Sequence, residues 1–565
     1  MTRLLITTAI ALSLAACSNE SMEEAATETE IAAVPVETDT LAATDGYDIA
    51  TEYAKIAEVP MDVETSFLSA SERAVVNKLM AASDLMSDIY IRQLDPENPA
   101  IREDIATNGT PAQLAMFDLH FGVCDTLNEG RVFYGERECP PGAGFYPRDM
   151  TQAELEAYIA ANPDEADAIR SGYTLVRRDG DSLTTIPYSK AYYEFLQPAA
   201  ELLREAAALS EEPTLKTFLT KRADAFLSDD YYDSELAWMD LDGNIEIAIG
   251  PYEVYDDGLL GVKTAFESFV TVKNPEESAA LAKYKDYLRD MEANLPVEER
   301  YKNFKRGFAS PIVSAYQVRG GGDNVPGVQT IAFNLPNDER VREAKGAKKV
   351  ILNNVLGAKY DLILSPIGER VLVDEQAALT AKKHMLNSTL FHELSHSLGP
   401  GTISVDGEET TVNAQLKELA SGLEEGKADV MGAYNVLYMM DRGELDASER
   451  EAFLATYFTG LFRSMRFGID AAHGKGAAYQ YSYYRDVGAV EWLPAQNRFR
   501  IDFDKLEQAI SDLTRDVVVV QGDGGYDAAK AFLDRFAKLD DAARTVLGLL
   551  DDIPYDIRPV YPESL

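Results

Sequence analysis

The segment from His392 to His396 places the tightest constraint on the fold, because its two histidines can meet at one point only if the segment is helical. Residues four apart share one face of an α-helix, so both imidazoles can bind one metal ion, and Glu393 between them is placed to take a proton from water at that metal. A chance pair of surface histidines is the alternative. The apolar residues Leu390 and Phe391 favour a partly buried helix, in which histidines need partners. We therefore predict a site for one zinc ion per chain.

Such a site needs a third ligand, and two familiar spacings fail here. In the metzincin pattern, a glycine and a histidine follow the second histidine by three and six residues; Gly399 fits, but Thr402 occupies the histidine position. In the thermolysin-like pattern, a glutamate follows by about 20 residues. That place holds Gln415 and Leu416, so neither pattern describes this chain.

The next acidic cluster along the chain contains Glu424, Glu425 and Asp429. It lies in a run whose apolar residues recur at helical spacing between 416 and 437, which predicts a second helix. Two adjacent glutamates and an aspartate one turn later could supply one metal ligand and two carboxylates that support the histidines. Helix geometry does not choose between Glu424 and Glu425, and a solvated charged face is the alternative interpretation of the cluster.

Length and composition limit the architecture and the partners. A chain of 565 residues is long for one compact domain, so two lobes with a sizeable core are expected. The formal charge of −42 repels phosphate backbones and argues against nucleic-acid binding. With three cysteines, the chain cannot be a scaffold built on disulfides.

The first residues predict export and a lipid anchor. One arginine, a mainly apolar run from Leu4 to Ala16 and then Cys17 form a secretory signal over 1–16, and this run is too short to span a bilayer. The residues before Cys17 resemble the lipobox of bacterial lipoproteins, which implies lipid attachment to its thiol; plain signal cleavage is the alternative. Residues 17–60 have the composition of a disordered tether. We expect attachment to the outer membrane, on its periplasmic side or at the cell surface.

The remaining two cysteines, Cys124 and Cys139, could form a disulfide in an oxidising compartment. Two free thiols are the alternative, because sequence does not show their geometry.

Hydrophobic spacing predicts a mixture of helices and short strands. Capping-box patterns at Ser69 and Thr151 predict helix starts. Three glycines at 320–322 predict a turn or hinge. Further helices are predicted within 69–94, 188–228, 276–296 and most of 375–470, and strands at 245–249, 269–272, 328–333, 349–355 and 361–364.

The histidine pair, the acidic cluster and several other segments together resemble the dipeptidyl peptidase III family of zinc exopeptidases. That family typically has one more residue before the second histidine, and this chain has the five-residue form. The order of the segments is the family's order, and the resemblance covers roughly residues 245–495. The other matching segments are 253–256, 266–270, 334–355 and 472–479.

The resemblance implies roles around the metal. Glu425 would be the third ligand, while Glu424 and Asp429 would support the histidines from behind. Tyr255 and His473 would donate hydrogen bonds to the oxyanion that forms when the scissile carbonyl is attacked. A packed core tyrosine and a surface histidine are the alternative interpretations of the last two.

The resemblance also implies residues that bind the substrate. A free amino end calls for a fixed carboxylate, for which Glu253 is the first candidate and Glu267 the second. Asn334 and Asn337 would hydrogen-bond the backbone of an extended peptide without reading its side chains. Ordinary solvated glutamates, and turn chemistry around Pro336, are the alternatives.

The expected protein is α+β with two lobes: a mainly helical zinc-bearing lobe faces a mixed lobe with a small β-core across a substrate cleft. We assign 61–280 to the N-terminal mixed lobe, 281–500 to the zinc-binding catalytic region with a substrate-binding strand within 325–356, and 501–565 to a C-terminal segment that completes the body.

The implied activity is zinc-dependent release of dipeptides from the N-terminus of short peptides. The alternatives are a zinc aminopeptidase or endopeptidase with a different cut position, and a non-catalytic peptide-binding lipoprotein. The presence of Glu393 argues against the last, because a structural zinc site does not require it.

Overall fold

A computed structural model of the chain describes residues 47–565, apart from 129, 274–277, 279–280, 282, 305–310 and 406. The predicted signal segment, Cys17 and the tether up to residue 46 lie outside the described residues. Residues 48–565 form one compact unit. No described helix combines the length and apolarity that a bilayer crossing requires.

The strands are short, and most pair in hairpins. They are Ile56–Pro60 (β1), Cys124–Asp125 (β2), Arg131–Val132 (β3), Thr174–Asp179 (β4), Ser182–Pro187 (β5), Ile245–Glu253 (β6), Ala265–Lys273 (β7), Ile312–Gly322 (β8), Ala332–Leu335 (β9), Lys348–Leu352 (β10), Thr402–Val405 (β11), Glu408–Thr411 (β12), Val490–Leu493 (β13), Arg498–Ile501 (β14) and Asp556–Val560 (β15).

Helices form the greater part of the described chain. The α-helices are Ile49–Tyr53, Ala70–Leu94, Asn98–Asn108, Pro111–His120, Gln152–Ala161, Ala166–Arg170, Tyr188–Ala191, Tyr193–Leu209, Pro213–Ser228, Tyr232–Met239, Leu288–Asn294, Glu339–Lys345, Asn353–Lys359, Ser365–Val371, Asp374–Ala377, Lys382–Ser395, Val412–Leu416, Ala420–Asp441, Arg450–Met465, Ala472–Asp486, Phe503–Asp523, Tyr526–Phe536 and Asp541–Leu547.

One mixed five-stranded sheet organises the N-terminal part, in the order β6-β7-β8-β10-β9. The pair β8–β10 is parallel and the other pairs are antiparallel. Strand β9 comes last in this order and therefore forms one edge of the sheet. Helix Ala70–Leu94 packs on β7 and β8, and the helices from Lys382 to Asp523 pack on one another. The α+β architecture of a mixed part and a mainly helical part is therefore confirmed. The sheet takes strands from both sides of the predicted boundary at residue 280.

The turn or hinge predicted at the glycines 320–322 begins only at the last of them: these residues end strand β8, and the Val325 backbone N–H donates to the Gly322 backbone oxygen. A Cβ atom on Gly321 would lie 2.2 Å from the backbone oxygen of Ser83, in the helix that packs on the strand. The glycine is therefore needed for the close approach of helix and strand rather than for a turn.

Two further expectations are corrected. The tether prediction is wrong over its last residues, because β1 pairs in parallel with β15 near the C-terminus, so the ordered body begins before residue 60. The strand predicted at 361–364 is a π-helical turn, Tyr360–Leu364, between two α-helices. A short apolar run suits a buried helix and a buried strand equally well, and here the helix formed.

Several local predictions are confirmed. Helix Ala70–Leu94 begins at Ser69 with a complete capping box to Glu72. The Thr151 side chain accepts a hydrogen bond from the Glu154 backbone N–H at the start of the next predicted helix. Cys124 and Cys139 are joined as a disulfide, with their Cα atoms 6.4 Å apart.

Candidate metal centre and active site

Two packed helices carry the predicted metal ligands. The histidine helix, Lys382–Ser395, bears His392, and His396 is the residue that caps its C-terminal end. The carboxylate helix, Ala420–Asp441, bears the acidic cluster. A Cβ atom on Gly432 would lie 2.9 Å from the His392 backbone nitrogen. The absence of a side chain at Gly432 therefore lets the two helices approach closely where the histidines face the carboxylates.

The predicted ligands converge on one point. The two histidine Nε2 atoms lie 3.1 Å apart. The Glu425 Oε2 atom lies 3.4 Å from Nε2 of His392 and 3.7 Å from Nε2 of His396. Donor atoms around a tetrahedral cation with bonds of about 2.0–2.1 Å are separated by about 3.4 Å. These three atoms therefore have the spacing that a metal ion requires.

A second observation supports the fit to a metal. Oε2 of Glu425 is buried and has no hydrogen-bond partner. A buried carboxylate oxygen without a partner carries a desolvation penalty that a cation removes. The structure also separates the two glutamates that helix geometry left equivalent: Glu425 faces the Nε2 atoms, and Glu424 faces the other side of His396.

Carboxylates hold both imidazoles from behind. Nδ1 of His392 lies 2.6 Å from Asp429 Oδ1, and Nδ1 of His396 lies 2.9 Å from Glu424 Oε1. Donating an N–H from Nδ1 fixes the tautomer that leaves Nε2 free to bind a metal. Lys427 in turn pairs with Glu424 at 2.9 Å, so this carboxylate is itself held in place.

The electrostatics keep both glutamates ionised. Burial opposes the charge on Glu424, but the ammonium of Lys427 and the imidazole of His396 outweigh it and hold the pKa of Glu424 far below its usual range. Burial likewise opposes the charge on Glu425, but the nearby imidazoles of His392, His473 and His396 outweigh it and hold the pKa of Glu425 low. A carboxylate must be deprotonated to bind a metal, and the low pKa of Glu425 meets this condition.

His473, which is predicted to donate a hydrogen bond to the oxyanion, also contacts the predicted metal ligand Glu425. Its Nδ1 is 3.2 Å from Oε2 of Glu425, and His392, Glu425 and His473 together offer ligand atoms within 4.8 Å of one another. The imidazole begins the helix Ala472–Asp486 and is largely exposed. It can therefore turn towards a bound substrate or towards a metal, and its oxyanion role stays a prediction.

One predicted ligand, His392, lines a cavity of about 620 Å³. His392, Glu393 and His473 line it on the helical side, and residues 328–332, which lead into β9, line it on the sheet side. The backbone oxygen of Glu393 accepts a hydrogen bond from the buried Lys349 of strand β10. Lys349 therefore ties the turn that carries Glu393 to the sheet.

The predicted substrate carboxylates lie at one end of this region. Glu253 ends β6 and accepts a hydrogen bond from the backbone N–H of Tyr255, whose side chain is 90% exposed and lines the cavity. Glu267 is 9% exposed and does not line the cavity. Glu253 does not line the cavity either, so Tyr255 is the residue of this region that reaches it.

These glutamates belong to a buried group of carboxyl groups. Burial and the nearby Asp323 raise the pKa of Glu253 to about 8, and the same two causes raise the pKa of Asp256 to about 7. Burial, Asp323 and Glu253 also raise the pKa of Glu267. Desolvated like charges disfavour ionisation, so this group favours a cation beside it.

The two predicted asparagines differ. Asn334 lies on β9, and its side-chain oxygen is buried without a hydrogen-bond partner. Asn337 donates from its amide to the Tyr252 backbone oxygen at 2.8 Å, which ties the end of β9 to β6. Asn334 thus keeps a free acceptor for a ligand, whereas Asn337 has a structural contact.

Sequence reasoning missed the residues that join the site from distant parts of the chain. Gln480 donates to Asp429 Oδ2 at 3.3 Å and accepts from the Tyr457 hydroxyl. Lys349 contacts the turn of Glu393, and Arg463 lines the cavity. No local pattern marks these side chains; only Lys427, inside the acidic cluster, was visible beside the predicted ligands.

Known proteins resemble this chain over most of its length. A family model described as Peptidase family M49 matches residues 151–403. The structure of DPP III from Caldithrix abyssi is 43% identical, with a TM-score of 0.89, and the match covers 91% of this chain and 98% of that one. The structure of dipeptidyl-peptidase III from Corallococcus sp. strain EGB is 38% identical, with a TM-score of 0.81, and covers 91% and 96%.

A plant relative carries a different name. The Arabidopsis thaliana protein called Nudix hydrolase 3 is 32% identical over 566 residues, which is 90% of this chain and 73% of the relative. The rest of that plant protein lies outside the match, and its name describes that protein alone. The matched family, the two bacterial structures and the converging ligands agree with one another, and the chain belongs to peptidase family M49, the dipeptidyl peptidase III family of metallopeptidases.

Proposed function

We propose that this protein is a zinc-dependent exopeptidase that releases dipeptides from the N-terminus of short peptides. The observation that carries the proposal is one cavity lined by His392, Glu393 and Tyr255. His392 shares the predicted metal site with His396 and Glu425, and the backbone N–H of Tyr255 donates to the carboxylate of Glu253. A metallopeptidase needs the metal ligands and Glu393, and recognition of a free amino end needs a carboxylate such as Glu253.

The chain's own residues supply proton transfer. A zinc ion, when bound, supplies Lewis-acid polarisation at the reacting carbonyl. The carboxylate of Glu393 accepts a proton from the attacking water and later donates it to the leaving amine. Tyr255 and His473 line the same cavity and donate hydrogen bonds to the developing oxyanion.

Recognition of the amino end follows from charge. The carboxyl groups of Glu253, Asp256, Glu267 and Asp323 are desolvated, and the charge of Asp323 raises the pKa values of the other three. A substrate ammonium relieves this repulsion, whereas an acetylated amino end offers no charge. The distance between this group and the metal then sets the bond that is cut.

The edge strand supplies contacts that do not depend on side chains. Strand β9 is the last strand of the sheet, and residues 328–332 before it line the cavity. An extended peptide can pair with such an edge through its backbone, with the free oxygen of Asn334 as a further acceptor. This arrangement favours broad side-chain specificity.

The test uses one unblocked hexapeptide and its N-acetylated form, with products identified by mass spectrometry. We expect a dipeptide and a tetrapeptide from the free peptide, no cleavage of the acetylated one, and loss of activity after chelation of the metal. Release of single residues would indicate an aminopeptidase, and cleavage of the acetylated peptide an endopeptidase. Activity unchanged in Glu393→Gln, with Glu409→Gln as an exposed control, would remove the assigned mechanism.

The proposed location is the outer membrane, through lipid on Cys17. The apolar run before this cysteine and the composition of the following residues support it. Labelled fatty acid should be incorporated into the full chain and not into Cys17→Ala. Recovery of the unaltered protein in the soluble fraction without lipid would contradict the proposal.

A further inference from the structure

Arg463 is a partly buried cation on the wall of the cavity. It lies on the helix Arg450–Met465 and lines the same cavity as Glu393 and His473. Its Nε is buried without a hydrogen-bond partner, and its guanidinium forms no ion pair with any residue that the structure describes. A desolvated charge is unfavourable unless an anion balances it, so the site favours binding of an anion.

The carboxylate whose charge acts on Arg463, Asp556, is already used by other groups. Its Oδ1 pairs with Nζ of Lys359 at 2.7 Å. Its Oδ2 accepts from Lys359 at 2.9 Å and from the backbone N–H of Gln329 at 2.9 Å. One carboxylate thus faces one lysine and one arginine. Since Lys359 takes the ion pair, a positive charge remains at Arg463.

The position of Arg463 relative to the amino-end group follows from the edge strand. Gln329 lies at the Arg463 end, because its N–H is bonded to Asp556. Asn337 lies at the other end, because its amide contacts the residue before Glu253. Eight residue steps separate Gln329 from Asn337, at most about 26 Å of extended chain. A peptide held by its amino end at Glu253 therefore extends its carboxyl side towards Arg463.

We propose that Arg463 binds the C-terminal carboxylate of short peptide substrates, so that the enzyme recognises both ends of the chain it cuts. This inference rests on the proposed function, because the ammonium contact at Glu253 sets the direction of the peptide. A guanidinium offers paired N–H donors that match the two oxygens of a carboxylate. Peptides of up to about nine residues lie within this span, whereas longer ones present an uncharged peptide group there.

The net charge makes the expected signal specific. The chain carries a formal charge of −42, so its overall field disfavours an anionic ligand end. A preference for a free carboxylate over a neutral amide must then come from a local cation. Loss of that preference on substitution of Arg463 would identify which cation it is.

The experiment measures binding, so that it does not depend on turnover. Isothermal titration of the zinc-loaded full chain carrying Glu393→Gln compares one hexapeptide as free acid and as C-terminal amide. We expect the acid to bind about 10- to 100-fold more tightly, as charge-assisted hydrogen bonds predict. Arg463→Met should make the two affinities equal, Arg463→Lys should keep part of the difference, and the exposed control Arg544→Met should keep all of it.

Two results would overturn the inference: equal affinities for acid and amide without substitution at Arg463, or full discrimination in Arg463→Met. The first comparison needs no folded variant of Arg463, and thermal melting checks the folding of the others. In turnover by the active enzyme, the substitution should raise KM for the acid more than it lowers kcat. If the proposed function is wrong, dipeptide products will be absent. The ratio of acid to amide affinity can still be measured in that case, so the two failures can be distinguished.

Discussion

The contact between Asp429 and His392 gives the sharpest quantitative prediction. Oδ1 of Asp429 lies 2.6 Å from Nδ1 of His392, a short charge-assisted hydrogen bond that orients the imidazole towards the metal. Asp429→Ala removes this orientation. Loss of such a supporting carboxylate costs about 10- to 100-fold in metal affinity, which is about 1.4–2.7 kcal/mol.

Asp429→Asn separates charge from geometry. The amide keeps one oxygen that can accept from Nδ1 but loses the negative charge. A hydrogen bond to a charged group contributes about 1.5–3 kcal/mol and a neutral one about 0.5–1.5 kcal/mol. The difference of about 1–1.5 kcal/mol corresponds to a loss of about 5- to 12-fold in affinity. We therefore expect the order of metal affinity to be Asp, then Asn, then Ala.

The assay is zinc titration in competition with a chromogenic chelator at neutral pH, with thermal melting to check the fold. Asp181→Asn, an exposed substitution in the β4–β5 turn, is the matched control and should leave the affinity unchanged. Activity at saturating zinc should recover more than activity at limiting zinc. Unchanged zinc affinity in a folded Asp429→Ala protein would refute the reasoning that this carboxylate orients a metal ligand.

Three further predictions test the mechanism, the amino-end group and the packing. Glu393→Gln should lower kcat by about 10²- to 10⁴-fold, because the proton acceptor is lost. Metal analysis should show an unchanged zinc content. A loss of zinc would indicate a structural role of Glu393 instead. Burial and Asp323 raise the pKa of Glu253 to about 8, and a substrate ammonium binds its ionised form. Peptide affinity, measured by titration in the Glu393→Gln background, should therefore rise from pH 6 to 8 by up to about tenfold per pH unit, and the slope should flatten in Glu253→Gln. Gly321→Ala places a Cβ atom 2.2 Å from the Ser83 backbone oxygen and should lower the free energy of unfolding by about 1–3 kcal/mol in denaturant titrations. The control Gly460→Ala lies in a helix where a Cβ atom meets nothing within 4 Å, and it should not lower this free energy. Equal stability of the two variants would contradict the packing argument.

The local parts of the fold were accessible from the sequence. The capping box at Ser69 needs only residues three apart, and the helix begins there. The spacing of His392 and His396 likewise needs only the helical period, and the two Nε2 atoms meet. The strand prediction for the apolar run 361–364 was wrong, because the conformation of this run depends on the neighbouring helices rather than on its own four residues.

The glycines at 320–322 show why packing could not be read locally. As a sequence they indicate a turn, and in the fold they end a strand against helix Ala70–Leu94. The partner that explains Gly321 is Ser83, more than 200 positions earlier in the chain. The same holds for strand β1, which is ordered because it pairs with β15 near the other end of the chain.

By itself, the sequence determined that this protein has two histidines on one face of a helix with a glutamate between them, followed by a helix of carboxylates. These features depend on residues within one or two helical turns. Only the tertiary structure shows that Glu425 rather than Glu424 faces the Nε2 atoms of both histidines, that Lys349 supports the turn of Glu393, and that Arg463 lies on the cavity wall. These facts depend on how separate helices and strands pack, and no short-range pattern in the chain records which residues of distant segments will meet.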